Sequence, residues 1–172
     1  MTREEFAMFA MALKTYYPKE NILPNEQAME LWLRQLEDIP FKVAEVSLNK
    51  WVALNKWSPA ISDIREMASE IINGQIPSLD VAWAEVRQAI RDFGSARPQE
   101  ALESMSPLTR ETVESIGFVK ICMSERPDVE WEKFKKIYEI KAKRTKEDNQ
   151  TPLITKNMIT SVIQKKLEVS DV

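Results

Sequence analysis

The positions of proline and glycine constrain the fold of this chain more than any other feature. Between Tyr17 and Ile71, residues such as Pro18, Pro40 and Pro59 stand where an apolar run begins or has just ended. These are the places at which a helical fold tolerates proline at little cost. The chain has only three glycines, and each follows an apolar-periodic run, where helix C-caps belong. Because period-two alternation bounded by tight turns is scarce, the sequence predicts an all-α fold.

Helical periodicity divides the sequence into three segments. Residues 1–75 are expected to form an N-terminal helical domain, and residues 78–146 a second helical subdomain that ends in a long helix. Residues 147–172 are expected to be a polar linker followed by an amphipathic tail helix, because the apolar period stops near Lys146 and resumes after a proline. The prediction is two small helical subdomains followed by a C-terminal amphipathic helix.

Polar side chains that cap helices mark where individual helices begin. Thr2 and Glu5 have the spacing of a capping box, and Asn25 precedes the next apolar-periodic run. Glu37 and Asp38 are expected to cap a third helix that starts with proline. The aromatic residues of the N-terminal domain are expected to lie in its core, since a small four-helix unit needs bulky anchors that each bury ~150–250 Å².

The residue inventory leaves catalysis almost no foothold. The sequence contains no histidine and a single cysteine, Cys122, so it predicts neither an intrachain disulfide nor a cysteine-based zinc site. A phosphate-binding loop needs the pattern Gly-x-x-x-x-Gly-Lys, whereas the nearest glycines here are twenty residues apart. We therefore expect no enzymatic activity, no cofactor and no metal. Cys122 follows the apolar Ile121 and is expected to be a small core residue.

The N-terminal residues and the length of the apolar runs bear on localisation. Glu4 and Glu5 occupy the region in which a signal peptide carries positive charge. No apolar run reaches the ~18 residues needed to span a bilayer. The expectation is a soluble, cytoplasmic protein with no membrane partner.

Charge is unevenly distributed along a chain whose formal net charge is −3. Residues 1–75 carry eight basic and eleven acidic side chains, whereas residues 133–146 carry seven basic side chains and one acidic side chain. The basic segment includes Lys141, Lys143 and Arg144 and could follow a phosphate backbone. A solvated face with its cations at the favourable end of the helix dipole is the preferred interpretation. The pI of about 5.3 argues against tight duplex binding and leaves weak single-stranded DNA contact open.

The tail helix carries an apolar stripe opposite lysine, asparagine and glutamine side chains. Such a helix is marginal alone in water, so it must pack on its own body or on a partner, and the sequence leaves both open. Full burial of five apolar side chains gives a gross ~8–15 kcal/mol, from which nucleation removes about 4 kcal/mol and lost translational freedom several more. One tail would therefore bind modestly, and several on a symmetric ring tightly. This tail stripe comprises Met158, Ile159, Val162, Ile163 and Leu167.

Aromatic residues, prolines and helix caps also recur in a fixed order along the chain. The order comprises Tyr17-Pro18, then Trp32 and Leu36 ahead of Asp38-Ile39-Pro40, then Trp51 and Ser58-Pro59-Ala60-Ile61-Ser62-Asp63-Ile64. It resembles the phage replicative-helicase loader/inhibitor family of Firmicutes phages and prophages. The segment from Ala82-Trp83 through Gly117-Phe118 to Tyr138 is similar to longer prophage versions, so the likeness covers roughly residues 1–147.

The resemblance implies a non-enzymatic replication adaptor in the cytoplasm of a bacterial host cell. Members of that family bind the hexameric replicative helicase, restrain it and deliver it to an origin-bound replisome organiser. Their C-terminal portion engages the helicase, and that role transfers here to the tail stripe. Lys141, Lys143 and Arg144 are second candidates, for contact with nucleic acid or a partner.

Two other functional classes stay open on the residues alone. A DNA-binding phage replication or regulatory protein would need Arg, Asn or Gln on an exposed helix to read bases, whereas the N-terminal domain is acidic. A purely structural phage interaction protein is compatible with every residue. The sequence distinguishes neither a host helicase from a phage helicase nor loading from inhibition.

Overall fold

The structure, a computed structural model, describes the backbone of residues 1–170 and the side chains of residues 1–166. It is 76% helical and has no strand among the described residues, so the predicted all-α fold is confirmed. The described helices are α1 (Arg3–Tyr16), α2 (Glu26–Leu36), α3 (Phe41–Leu54), α4 (Ile61–Asn73), α5 (Leu79–Phe93), α6 (Pro98–Glu103), α7 (Pro107–Ile116), α8 (Phe118–Cys122), α9 (Pro127–Gln150) and α10 (Leu153–Ser170).

Helix ends lie where local capping residues predict them. The Thr2 Oγ1 accepts the Glu5 N–H at 3.2 Å, and the Glu5 carboxylate accepts the Thr2 N–H at 2.7 Å, so the predicted capping box is confirmed. The Asn25 Oδ1 accepts the Ala28 N–H at 2.9 Å and caps α2. Gly74 ends α4 with a φ of 77°, which residues with a side chain rarely adopt. These ends are set by residues within one turn of them.

The chain divides into two compact units. Unit 1 combines Met1–Gly74 with the residues from 149 onward, and unit 2 comprises Gln75–Asp148. The boundary before the tail falls within α9, which continues to Gln150. The helix end predicted near Lys146 is therefore too early, because the polar residues that follow are compatible with helix and Pro152 is the first residue that interrupts it.

The core of unit 1 lies between α1, α2, α3 and α4. Its buried apolar residues are Phe6, Phe9, Ala10, Leu13, Leu23, Leu33, Leu36, Ile39, Ala44, Leu48, Ile64 and Ala68. Trp32 packs partly buried against this cluster, whereas the Trp57 side chain is 77% exposed. The expectation that the N-terminal aromatic residues lie in the core is wrong for Trp57. Its carbonyl accepts the Trp51 Nε1–H at 2.8 Å, which holds the loop backbone while the ring points outward.

Unit 2 is built around an aromatic cluster shared by α5 and α9. The Trp83 ring centroid lies 5.3 Å from that of Trp131 and 5.1 Å from that of Phe134. Phe134 in turn stacks on Tyr138 at 5.4 Å. These spacings are those of attractive aromatic pairs, and they join the two helices through their largest side chains.

Tyr138 also attaches the segment before α5 to α9. Its hydroxyl donates to the Pro77 carbonyl at 2.7 Å. Burial, with the negative charge of Glu85 adding to it, raises the pKa of Tyr138 to about 12. The phenol is therefore protonated, and able to donate this hydrogen bond, throughout the physiological range.

A short helix replaces the apolar turn expected between Phe118 and Met123. Phe118 and Ile121 on α8 are buried in the unit 2 core. Cys122 is half-buried, so its expected place in the core is met only in part.

Two structural requirements were assessed over the described residues. None of the helices there combines the length and the apolar character that a bilayer crossing requires. The same residues contain no group of three His, Cys, Asp or Glu side chains arranged to hold a metal ion.

We expect Phe134→Ala to lower the free energy of unfolding of unit 2 by about 3–5 kcal/mol, because Phe134 is fully buried and its loss leaves a cavity. Urea denaturation followed by circular dichroism measures this. Met123→Ala, at a side chain that is 70% exposed, is the control and is expected to change stability by less than about 0.5 kcal/mol. Equal effects of the two substitutions would contradict the assigned core.

Candidate functional site

The residues predicted to bind the helicase lie on α10, and those the structure describes are exposed. Met158 is 63% exposed and Val162 59% exposed, with Ile159 and Ile163 each at 52%. Every residue from 156 to 166 is exposed, so no described part of the protein covers these side chains. The backbone of Leu167 lies within α10, but its side chain lies outside the described residues.

The described part of the tail stripe forms one continuous apolar strip. Met158 and Val162 are four residues apart, as are Ile159 and Ile163, so the pairs lie side by side on the helix. The neighbouring hydroxyls bond to the helix backbone, since Thr160 donates to the Lys156 carbonyl at 3.0 Å and Ser161 to the Met158 carbonyl at 2.8 Å. What α10 presents is therefore apolar surface with no unsatisfied hydroxyl beside it.

The N-terminal end of α10 is held by an ion pair between Arg65 of α4 and Asp38 of the α2–α3 connection. The Nη1 of Arg65 lies 2.7 Å from one carboxylate oxygen of Asp38, and its Nη2 lies 3.0 Å from the other. The Arg65 side chain is 8% exposed and the Asp38 side chain 20%. Two parallel, partly desolvated hydrogen bonds of this kind are both strong and geometrically selective. We call this pair the Asp38–Arg65 clamp.

Further hydrogen bonds join the clamp to the chain on either side of the α9–α10 junction. Arg65 donates from Nη1 to the Gln35 carbonyl at 2.7 Å and from Nε to the carbonyl of Gln150, the last residue of α9. Asp38 accepts the N–H of Leu153, the first residue of α10, at 3.0 Å. A carboxylate is favourable at this place, because helix N-termini carry unpaired N–H groups and partial positive charge. The clamp thus fixes where α10 begins.

The charge state of Asp38 depends on these contacts. Burial alone raises the pKa of Asp38, but the hydrogen bonds from Arg65 and from the Leu153 N–H, together with the positive charge of Arg65, outweigh it. The net result is a pKa below the ordinary value of a carboxyl group. Asp38 is therefore ionised, and the clamp complete, at neutral pH.

Sequence reasoning missed this clamp. Asp38 was expected to cap α3, but Pro40 occupies the N-cap of α3 without a side-chain hydrogen bond, and Asp38 instead caps α10. Arg65 received no role. The available signal was its place on the buried face of α4, between Ile61 and Ala68 at helical spacing, where a charged residue requires a partner.

The second candidates, Lys141, Lys143 and Arg144, lie on α9 in unit 2. Lys141 is paired with Glu111, and its side chain is only 21% exposed. The Nζ of Lys143 lies 3.8 Å from a carboxylate oxygen of Glu147, and Arg144 is exposed. Two of the three cations thus already have a carboxylate partner, which favours the interpretation of a solvated helix face.

Comparison with known proteins addresses the N-terminal part of the chain. Residues 1–65 match the model of a domain from a phage protein family. That family is the phage helicase loader/inhibitor family, and the matched part is the N-terminal domain of its members. No curated protein and no solved structure matches the chain. The likeness expected as far as residue 147 is therefore found for residues 1–65 and stays a prediction beyond them.

The matched segment contains both clamp side chains. Asp38 lies within it and Arg65 is its last residue, whereas Gln150 and Leu153, which the clamp holds, lie outside it. The segment that matches the family model thus supplies the charged groups, and the C-terminal part of the chain supplies backbone groups.

Replacing Arg65 by Met should lower the free energy of unfolding of unit 1 by about 3 kcal/mol, because Asp38 loses its partner in a largely desolvated place. Amide hydrogen exchange in a peptide spanning residues 149–156 should accelerate, since the start of α10 is released. Lys50→Met is the matched control. It breaks the half-exposed pair with Glu70 and should cost less than about 1 kcal/mol without changing exchange in α10. Unchanged exchange in Arg65→Met would contradict the role of the clamp.

The stabilisation from Asp38 should depend on pH with a defined sign. Because its pKa is lower in the folded state, the contribution is complete above the unfolded value of about 3.9 and is lost as the pH falls through the folded pKa. The difference in unfolding free energy between the wild type and Asp38→Asn should be largest at neutral pH and shrink in acid. Urea titrations over this range measure it. A difference that stays constant down to the acid limit would contradict the assignment.

Proposed function

We propose that this protein is a non-enzymatic phage or prophage replication adaptor that binds the hexameric replicative helicase through the tail stripe. In this proposal it restrains the helicase and delivers it to an origin-bound replisome organiser in the cytoplasm of its bacterial host, a Firmicute. The observation that carries the proposal is the uncovered apolar strip on α10, whose root is clamped to a segment that matches the phage helicase loader/inhibitor family.

The tail stripe has the properties of a helix that binds in a groove. Its described apolar side chains lie at spacings of three and four residues, which is how amphipathic helices present anchors to an apolar groove. An isolated helix of this length is only marginally stable in water, so the exposed strip is the part of α10 that gains most from a partner. Burial of each anchor contributes ~1.5–3 kcal/mol.

The charge of α10 narrows the kind of groove that it fits. Its described charged side chains are Lys156, Lys165 and Lys166, and all are exposed and basic. A groove with an apolar floor and acidic residues along its rim would complement them, and the rim charges would add mainly to the rate of association. We therefore infer an acidic rim around the binding groove of the helicase.

The clamp supports binding by fixing the root of α10 before the partner arrives. A binding element whose starting position is fixed loses less conformational entropy on association. On a ring of six identical subunits, several such tails would reinforce one another through their effective concentration. Modest affinity of each tail is thus compatible with firm attachment to the ring.

The cations of α9 have a smaller part in this proposal. Weak contact of single-stranded DNA with Arg144 and its neighbours would accompany helicase binding, but Lys141 and Lys143 would first have to leave Glu111 and Glu147. The alternative, a DNA-binding replication or regulatory protein, depends on these same cations and is less well supported for that reason.

Ile159→Asp combined with Val162→Asp should weaken helicase binding by at least about tenfold, because burying two charges in an apolar groove opposes docking. Calorimetry or light scattering with host helicase and with phage helicase, with and without ATP, measures this. Val119→Asp changes an exposed apolar residue of unit 2 and should leave binding intact. Truncation after Thr155 should abolish binding while it preserves Gln150 and Leu153 for the clamp. Binding that survives both the double substitution and the truncation would rule out the tail as the contact.

A further inference from the structure

α1 carries a second apolar stripe in addition to the face that covers the core. Its core face is formed by Phe6, Phe9, Ala10 and Leu13. The second set recurs at intervals of three and four residues and lines a surface depression of about 360 Å³. We call it the α1 stripe, and it comprises Met8, Met11, Ala12, Thr15 and Tyr16. Met11 is 67% exposed and Met8 51%, so the stripe is largely uncovered.

The polar atoms of this stripe are satisfied inside the protein. The Thr15 hydroxyl donates to the Met11 carbonyl at 2.8 Å, and the Tyr16 hydroxyl donates to the Asn49 Oδ1 at 3.0 Å. The stripe therefore offers methyl, thioether and aromatic carbon surface. Contiguous apolar surface of this kind marks an interaction site, and methionine adapts well to a partner surface.

We propose that the α1 stripe is a contact between two copies of this protein, with the two α1 helices antiparallel about a two-fold axis. When the axis passes between Met11 and Ala12, each Met11 lies against Ala12 of the second copy. Met8 then lies against Thr15 of the second copy. A long side chain thus meets a short one at both levels, which lets two helices approach to the usual 8–10 Å.

The order of charges along α1 selects a second copy in this orientation. Glu4 lies in the first turn, on the same face as Met8, and Lys19 follows the end of the helix. Both are exposed. In the antiparallel register each Glu4 lies opposite Lys19 of the second copy, and symmetry repeats the pair. The antiparallel helix dipoles also attract, whereas parallel helices would place like charges together.

The size of this contact predicts a weak dimer. A pair of helix faces buries less than the ~1,200–2,000 Å² typical of stable complexes, so association should depend on concentration. The dimer would carry two copies of α10 and raise the effective concentration of tails. It does not require that the helicase be the partner of α10, and the two proposals can fail independently.

Sedimentation velocity of the full chain, from micromolar to millimolar concentration, tests the contact. The wild type should shift from monomer to dimer, and Met11→Glu should remain monomeric over the whole range. Met123→Glu is the matched control, because Met123 is a methionine of unit 2 with nearly the same exposure, and it should dimerise like the wild type. Circular dichroism verifies that both variants fold. A wild type that stays monomeric, or a dimer that survives Met11→Glu, would overturn the proposal.

Charge reversal distinguishes this register from other contacts. Glu4→Lys and Lys19→Glu should each weaken dimerisation by about three- to tenfold, since each reverses one charge in two symmetric pairs. The double variant should restore it, because the pairs re-form with opposite sign. Two weakened single variants without restoration would refute the register. A dimer lost on truncation after Thr155, but retained in Met11→Glu, would assign self-association to α10 and overturn the α1 contact.

Discussion

The ion pair between Arg65 and Asp38 is the interaction on which unit 1 most depends. It joins α4, the α2–α3 connection, the end of α2 and the chain on both sides of the α9–α10 junction. The net contribution of a buried ion pair to stability is often small, because both charges lose their hydration. An arrangement that lacks one partner is strongly penalised, however, since the other charge then lies unpaired. The clamp therefore acts mainly by excluding alternatives to the observed path of the chain.

The same clamp relates the matched domain to the rest of the protein. Both charged side chains belong to residues 1–65, whereas the Gln150 carbonyl and the Leu153 N–H are backbone groups that almost any sequence could offer. A domain with this buried cation can thus receive a C-terminal segment without requiring particular side chains from it. The side chains of α10 are consequently available for a partner, and the exposed apolar strip is what that availability leaves on the surface.

The two units use their large apolar side chains differently. In unit 2, Trp83, Trp131, Phe134 and Tyr138 pack against one another, and the aromatic surface is mostly enclosed. In unit 1 the apolar surface exceeds what four short helices can enclose, and the excess lies on one face of α1 and along α10. Unit 1 therefore contains both of the surfaces proposed for protein contacts. An adaptor without catalytic groups can act only through such surfaces.

The sequence by itself determined the all-α class and most helix ends, because a cap such as Thr2 with Glu5, or a stop such as Gly74, acts within one turn of the helix it ends. It also located the apolar strip of α10. Only the tertiary structure decided that Trp57 is exposed and that Asp38 caps α10 instead of α3. Asp38 lies 27 residues from Arg65 and 115 from Leu153, and periodicity carries no information about which distant charges and backbone groups meet. That choice was made by the desolvation of Arg65, which only the packed helices impose.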